Sequence, residues 1–155
     1  MIIDLHLNGK LVLIVGAGNE ALKRIKLLEN EGCQIIVIGE KPNSEIIKLS
    51  KTKKIILKKI KLTSSLFLKK HKPFLVIAST TDLLLNQKIV QTAKKMKILA
   101  YASDSPDSSD ISYLSLIDIK KTIKVAISTG GGSPIMAKKI KLKIEKCLQK
   151  NISEQ

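Results

Sequence analysis

The chain has 155 residues, 44% of them hydrophobic, a size and apolar content that suit one core and exclude both a disordered chain and a multidomain enzyme. Its 28 basic against 13 acidic residues give a formal charge of +15, which draws nucleotides, polycarboxylates, nucleic acids or acidic surfaces without choosing among them. Arg24 is the only arginine, and two Tyr and two Phe make few stacking platforms, so a nucleic-acid partner is not expected and the lysines are read mainly as solvating helix faces.

The N-terminal residues Met1 to His6 lack a basic stretch leading into a long apolar segment, so no signal peptide is expected, and no apolar run is long enough for a bilayer partner. The first strong signal is the run at residues 10–16, apolar from Leu11 to Val15 and ending in Gly16, which predicts a central parallel strand covered on both faces. Ala21, Ile25 and Leu28 at helical spacing predict a helix over 19–31 with Gly32 as its terminator. Residues 35–38 complete a βαβ unit of the usual length, about 30 residues. A short helix is expected over 43–53, a third strand over 55–60, a weak helix or loop over 62–72 and a fourth strand over 74–78. A helix then runs to about Lys95, and a fifth strand over 98–102 ends at Ser103 and Asp104. This alternation predicts an α/β fold, a Rossmann-like doubly wound parallel sheet, over residues 1–111.

Past the polar connector 105–110, the segments 113–117 and 123–127 bracket the charged turn 118–121 and read as a hairpin, and Pro134 suits the first turn of a closing amphipathic helix. Residues 112–155 are too few for a core of their own, so they are expected to form a small α+β arm that packs on the first domain or on a second subunit. Cys33 and Cys147 stand far apart without metal-site spacing, and His6 and His71 read as surface residues, so no metal site is expected and a reducing cytoplasm is the expected compartment.

Gly16-Ala17-Gly18-Asn19-Glu20-Ala21 matches GxGxxG/A between a strand and a helix. In that pattern Gly16 makes the tight turn, Gly18 lets a pyrophosphate approach the backbone, Ala21 keeps helix and strand close, and the helix N-terminus offers free N–H groups. Glu40 lies about 20 residues further on, where a carboxylate accepts from an adenosine ribose diol and favours NAD, whereas the adjacent Lys41 would suit a 2′-phosphate. Ser79, Thr80 and Thr81 end the fourth strand at the same edge and are candidate cofactor contacts. Asp104 ends the fifth; beside a nicotinamide it would exchange a proton as hydride leaves a substrate, while local sequence alone reads it as a turn aspartate ahead of Pro106.

In this order the pieces resemble the precorrin-2 dehydrogenase and sirohydrochlorin ferrochelatase family, the siroheme synthase N-terminal module. Its GGGxVAxRK stretch is met by Gly16-Ala17-Gly18-Asn19-Glu20-Ala21-Leu22-Lys23-Arg24, its A-[AS]-T-x-D-x-x-x-N segment by Ala78-Ser79-Thr80-Thr81-Asp82 with Asn86, and its strand-end aspartate by Asp104. Residues 125–138 follow its V-A-[IV]-S-[TS]-G-G-x-S-P-x-[LM]-A-[RK] signature almost residue for residue, and the likeness extends over 7–148. The resemblance implies NAD-dependent oxidation of precorrin-2, a multi-carboxylate tetrapyrrole, to sirohydrochlorin, with iron insertion in some members. It further implies Asp104 as acid and base, Asn19, Glu20, Glu40 and Lys41 at the cofactor, Ser128, Thr129, Gly130, Gly131 and Ser133 near the substrate, and a homodimer interlocked through the arm. The sequence departs from the family at Tyr101, where Asn is common nearby, and at 111–115, where a Phe-x-x-Pro-Ala run is usual, and it stops soon after the signature helix, where longer members continue.

Overall fold

The computed structural model describes residues 2–119, 123–130 and 132–152, with side chains through Leu148. Contacts divide it into a unit spanning Leu5–Ile111 and a second formed from Ser112 onward with the residues ahead of Leu5.

The first unit is built on β1 (Leu11–Val15), β2 (Gln34–Ile38), β3 (Ile56–Lys58), β4 (Leu75–Ala78) and β5 (Leu99–Ala102), all parallel, in the order β3-β2-β1-β4-β5. Its helices are α1 (Asn19–Leu28), α2 (Ser44–Lys51), α3 (Phe67–His71) and α4 (Leu83–Lys95). The apolar strands are continuous because each face is covered. Leu13, Val15, Ile36, Ile38, Val76, Ala78, Ala100 and Ala102 pack with Leu68 of α3 and with Leu85, Ile89, Val90 and Ala93 of α4. The alternate residues Val12, Ile14, Val37 and Ile77 are also fully buried, on the face where right-handed connections put α1 and α2, whose Ala21, Ile25 and Ile46 are inaccessible. The chain leaves β1 toward β2 and β3, then returns to the other side of β1 for β4 and β5. Strand order therefore reverses between β1 and β4, the place where open sheets of this kind bind ligands at their carboxyl ends.

The second unit pairs β6 (Ser115–Ile119) antiparallel with β7 (Ile123–Ile127) and continues into α5 (Pro134–Ile152). Ile117 and Ala137 are its buried apolar residues among those described.

Several boundaries differ from the sequence expectations. The first helix stops at Leu28 rather than Glu31, because the Glu31 N–H turns back to the Leu28 carbonyl and Gly32 enters the left-handed region beside Asn8. The third strand is reduced to residues 56–58, and a single helical turn at 106–108 interrupts the polar connector. The sixth strand both starts and ends two residues later than expected, at Ser115 and Ile119. Asp118 thereby enters the ladder opposite Lys124, an opposite-charge cross-strand pair that the reading of 118–121 as a turn overlooked; residues 120 and 121 of that turn lie outside the described ones.

Gly16 is the tightest point of the first unit. Its φ is +108°, and a Cβ there would lie 2.6 Å from the Ser79 carbonyl carbon and nearer still to its oxygen. Gly16→Ala should therefore cost about 2–4 kcal/mol, from strain and overpacking together, read as a lowered urea midpoint.

His71 stands 3.3 Å from the Lys58 ammonium. Burial, and then the Lys58 and Lys70 charges, hold its imidazole below the ordinary value of 6.5. A group depressed in the folded state contributes stability above its unfolded value and loses it on acidification. Urea midpoints should accordingly fall as pH drops below about 6.5, with a shallower fall in His71→Gln.

Candidate cofactor and catalytic site

Three strand ends converge at the switch point. The Gly16 N–H donates to the Ile38 carbonyl at 2.8 Å, while the Ser79 N–H and hydroxyl both donate to the Val15 carbonyl at 2.7 and 3.1 Å. The loop after β1 then runs over the end of β2, where a Cβ on Gly39 would lie 2.6 Å from the Ala17 Cβ. Asn43 finishes the clamp: its N–H donates to the Ala17 carbonyl, its amide NH2 to Asn19 Oδ1 at 2.8 Å, and its Oδ1 accepts from the Glu45 N–H at the start of α2. Gly39 and Asn43 were not singled out from the sequence. The glycine after an apolar strand and the asparagine behind Pro42 were visible signals, but their partners lie some 20 residues away in the chain, so only the fold joins them.

Gly18 differs from Gly16. It is the N-cap of α1, has no side-chain cap, and a Cβ added to it would meet nothing within 4 Å. Packing within the protein does not call for glycine here. Open space in front of the uncapped N–H groups that begin α1 fits the diphosphate of a dinucleotide. Glu20, in that first turn, is held below the usual carboxylate range by its hydrogen bond to Lys23 and then by the Lys23 and Arg24 charges, so its own charge is matched locally. Glu40 and Lys41 are both exposed in the turn after β2, within the same unit.

On the other side of the switch point, Asn86 is 1% exposed and is the one buried polar side chain among the described residues. Its Oδ1 accepts from the Thr80 N–H at 3.2 Å and the Thr80 hydroxyl at 2.7 Å, and its NH2 donates to the Thr80 carbonyl at 3.1 Å and to Asp104 Oδ1 at 3.2 Å. Asp82 caps α4 by accepting from the Leu85 N–H, which fixes the helix that carries Asn86. Thr81 is exposed in the bend between them.

Asp104 itself is exposed just past β5. Among the described residues its carboxylate accepts only from Asn86, and its backbone lies in the turn that the Ser105 N–H closes onto the Ala102 carbonyl at 3.4 Å, so the turn reading describes its backbone and leaves its side chain for the site. Tyr101, where the family often places Asn nearby, is 6% exposed. Its hydroxyl accepts from Arg24 at 2.8 Å and its ring lies 4.9 Å under that guanidinium, so the sole arginine ties α1 to β5.

The structure thus gathers Gly16, Ala17, Gly18, Asn19, Glu20, Glu40, Lys41, Ser79, Thr80, Thr81 and Asp104 in one unit, all past strand ends on the carboxyl side of the sheet. The remaining candidates belong to the second unit, in the connection from β7 to α5. There Ser128 Oγ accepts from the Gly130 N–H, Thr129 Oγ1 from the Ser133 N–H, and Ser133 Oγ from the Met136 N–H at the start of α5. Gly131 lies outside the described residues.

The two motif glycines can be separated experimentally. Gly18→Ala should unfold within about 1 kcal/mol of the parent and lose at least about tenfold in affinity for nicotinamide dinucleotide by calorimetry, because the methyl would occupy the diphosphate's approach.

Comparison with known proteins agrees with this fold. The family described as "Putative NAD(P)-binding" matches residues 3–115. A siroheme synthase of Neisseria meningitidis is 28% identical over 151 residues, covering 96% of this chain and 30% of the relative. One of Methylococcus capsulatus is 32% identical over 138 residues, covering 88% of this chain and 28% of the relative. This chain thus spans under a third of the length of these relatives. Among solved structures, the precorrin-2 dehydrogenase SirC superposes with a TM-score of 0.79 at 26% identity, covering 94% of this chain and 70% of that one. The strand, glycine loop and helix that open the fold, together with the match over residues 3–115, place the chain in the putative NAD(P)-binding family, with similarity to siroheme synthases and to a precorrin-2 dehydrogenase.

Proposed function

We propose that the protein is an NAD-dependent dehydrogenase that oxidises precorrin-2 to sirohydrochlorin in siroheme biosynthesis. The observation that carries this reading is the placement, at one sheet edge, of an uncapped helix N-terminus behind Gly18 and a carboxylate at Asp104 held from behind by Asn86. The similarity to siroheme synthases and to SirC supports the choice of substrate.

Gly16 and Ala17 shape the turn, and the first N–H groups of α1 hold the diphosphate. Glu40 accepts from the adenosine ribose hydroxyls, which favours NAD over NADP, and Lys41 beside it tempers that preference. NAD, when bound, supplies the hydride acceptor. Loss of hydride from the macrocycle leaves it one proton in excess, and Asp104 takes that proton. Oδ1 is occupied by the Asn86 amide, so Oδ2 is the oxygen presented to the substrate. The same carboxylate would accept pyrrole protons if ferrous iron were inserted into the product. A strongly basic chain also suits a ligand bearing many carboxylates.

Leu116, Ile123, Ile135, Met136, Ile140 and Leu142 are exposed large apolar residues of the second unit. A homodimer that covers them is part of the proposal. A soluble, cytoplasmic enzyme follows from the same reading, and among the described residues no helix is long and apolar enough to cross a membrane.

Incubation with precorrin-2 and NAD, followed through the sirohydrochlorin spectrum, tests the proposal. Turnover should favour NAD over NADP, come from a dimeric species in sedimentation, and fall by about 100-fold or more in Asp104→Ala. Parallel incubation of sirohydrochlorin with ferrous iron reads chelation separately. Dinucleotide binding without oxidation under any condition would make the protein a binding module instead.

A further inference from the structure

Asn86 is buried, fully hydrogen-bonded and remote in sequence from the group it serves, which is more than holding one turn requires. A side-chain amide can usually face either way. Here the Thr80 N–H is a donor only and the Thr80 carbonyl an acceptor only, and the Asn86 amide meets both. The oxygen must therefore face the N–H and the nitrogen the carbonyl. That assignment leaves one proton of the NH2 group, and it points at Asp104 Oδ1. The Thr80 hydroxyl, 2.7 Å from Asn86 Oδ1, is a further donor to that oxygen in the same orientation. The bend after β4 thus determines which face of an amide reaches the carboxylate at the end of β5.

We infer that Asn86 is the positioning residue for Asp104: locked by Thr80, it donates to Oδ1, stops the exposed carboxylate from rotating, and leaves Oδ2 as the proton acceptor. This inference rests on the proposed role of Asp104. Asn86 does not itself reach the reacting atoms. A purely structural Asn86 would need only its bonds to Thr80. The bond to Asp104 reaches the start of a different connection, 18 residues on, and an exposed aspartate needs no partner for its own solvation.

The test is a double-mutant cycle with Asn86→Asp and Asp104→Asn in the full chain. Asn86→Asp keeps an oxygen for both Thr80 donors but replaces the NH2, which faces the Thr80 carbonyl as well as Asp104, by a second carboxyl oxygen. Its kcat for precorrin-2 oxidation should fall about tenfold or more, with dinucleotide affinity unchanged within about twofold, and it should cause no further loss in the Asp104→Asn background. An Asn86→Asp enzyme with parental kcat, or a loss that multiplies with that of Asp104→Asn, would overturn the inference while leaving the dehydrogenase reading intact. Full turnover by Asp104→Asn, or none by the parent, would instead remove that reading. A second measurement needs neither activity nor an Asn86 variant. The Asn86 side-chain amide resonances should move on Asp104→Asn in a 15N-labelled protein, and unchanged resonances would overturn the contact.

Discussion

The close approach of Gly16 to the Ser79 carbonyl is the constraint on which the site depends. β1 and β4 are neighbours in the sheet, and the chain leaves each in an opposite direction, so their two exits must share one small volume. A residue with a side chain at position 16 would force them apart. With glycine there, the Val15 carbonyl accepts both the N–H and the hydroxyl of Ser79, and the exits are locked together. The same crowding recurs between Gly39 and Ala17, where the glycine loop crosses the end of β2. Backbone packed this closely cannot shift without breaking ladder hydrogen bonds, and that rigidity fixes the direction of α1.

From this knot the site extends both ways. Toward β2, Asn43 links Ala17 and Asn19 to the start of α2, so the α1 terminus is braced from outside rather than capped. An internal side-chain cap would have filled the position that an anion needs. Toward β5, Thr80 and Asn86 carry the constraint from the end of β4 to Asp104. The glycine loop and the candidate acid are thus held by a single run of hydrogen bonds, although they lie on strands far apart in sequence. Arg24 and Tyr101 add a third tie on the helix α1 side of the sheet. The lone arginine thus holds α1 against β5.

The second unit follows different physics. Its hairpin and long helix bury little apolar surface among the described residues, and the connection before α5 is organised by serine and threonine hydroxyls that accept from its own backbone. Local hydrogen bonds give such a segment a shape but little cohesive energy, so apolar residues such as Ile135 and Met136 remain to be covered.

Much of the fold was legible in the sequence because parallel strands buried on both faces must be continuously apolar, and Leu11 to Val15, Ile35 to Ile38 and Leu75 to Ala78 carry that pattern without interruption. The glycine loop was legible for a related reason: a strand, a turn and a helix adjacent in the chain make a local signal. Boundaries were less so. The end of α1 depends on Asn8 meeting Gly32, which no local window contains, and the end of β6 on Asp118 pairing with Lys124 across a hairpin that apolar patterning does not register. What only the tertiary structure decided was which polar residues meet. Periodicity reports burial along one element, whereas the contact of Asn86 with Asp104, or of Asn43 with Asn19, requires two strand ends to be brought side by side by the sheet. The sequence by itself determined the strands, the glycine turn and the candidate acid; the strand order determined what holds that acid in place, because hydrogen-bond partners are chosen by distance in space and not by distance along the chain.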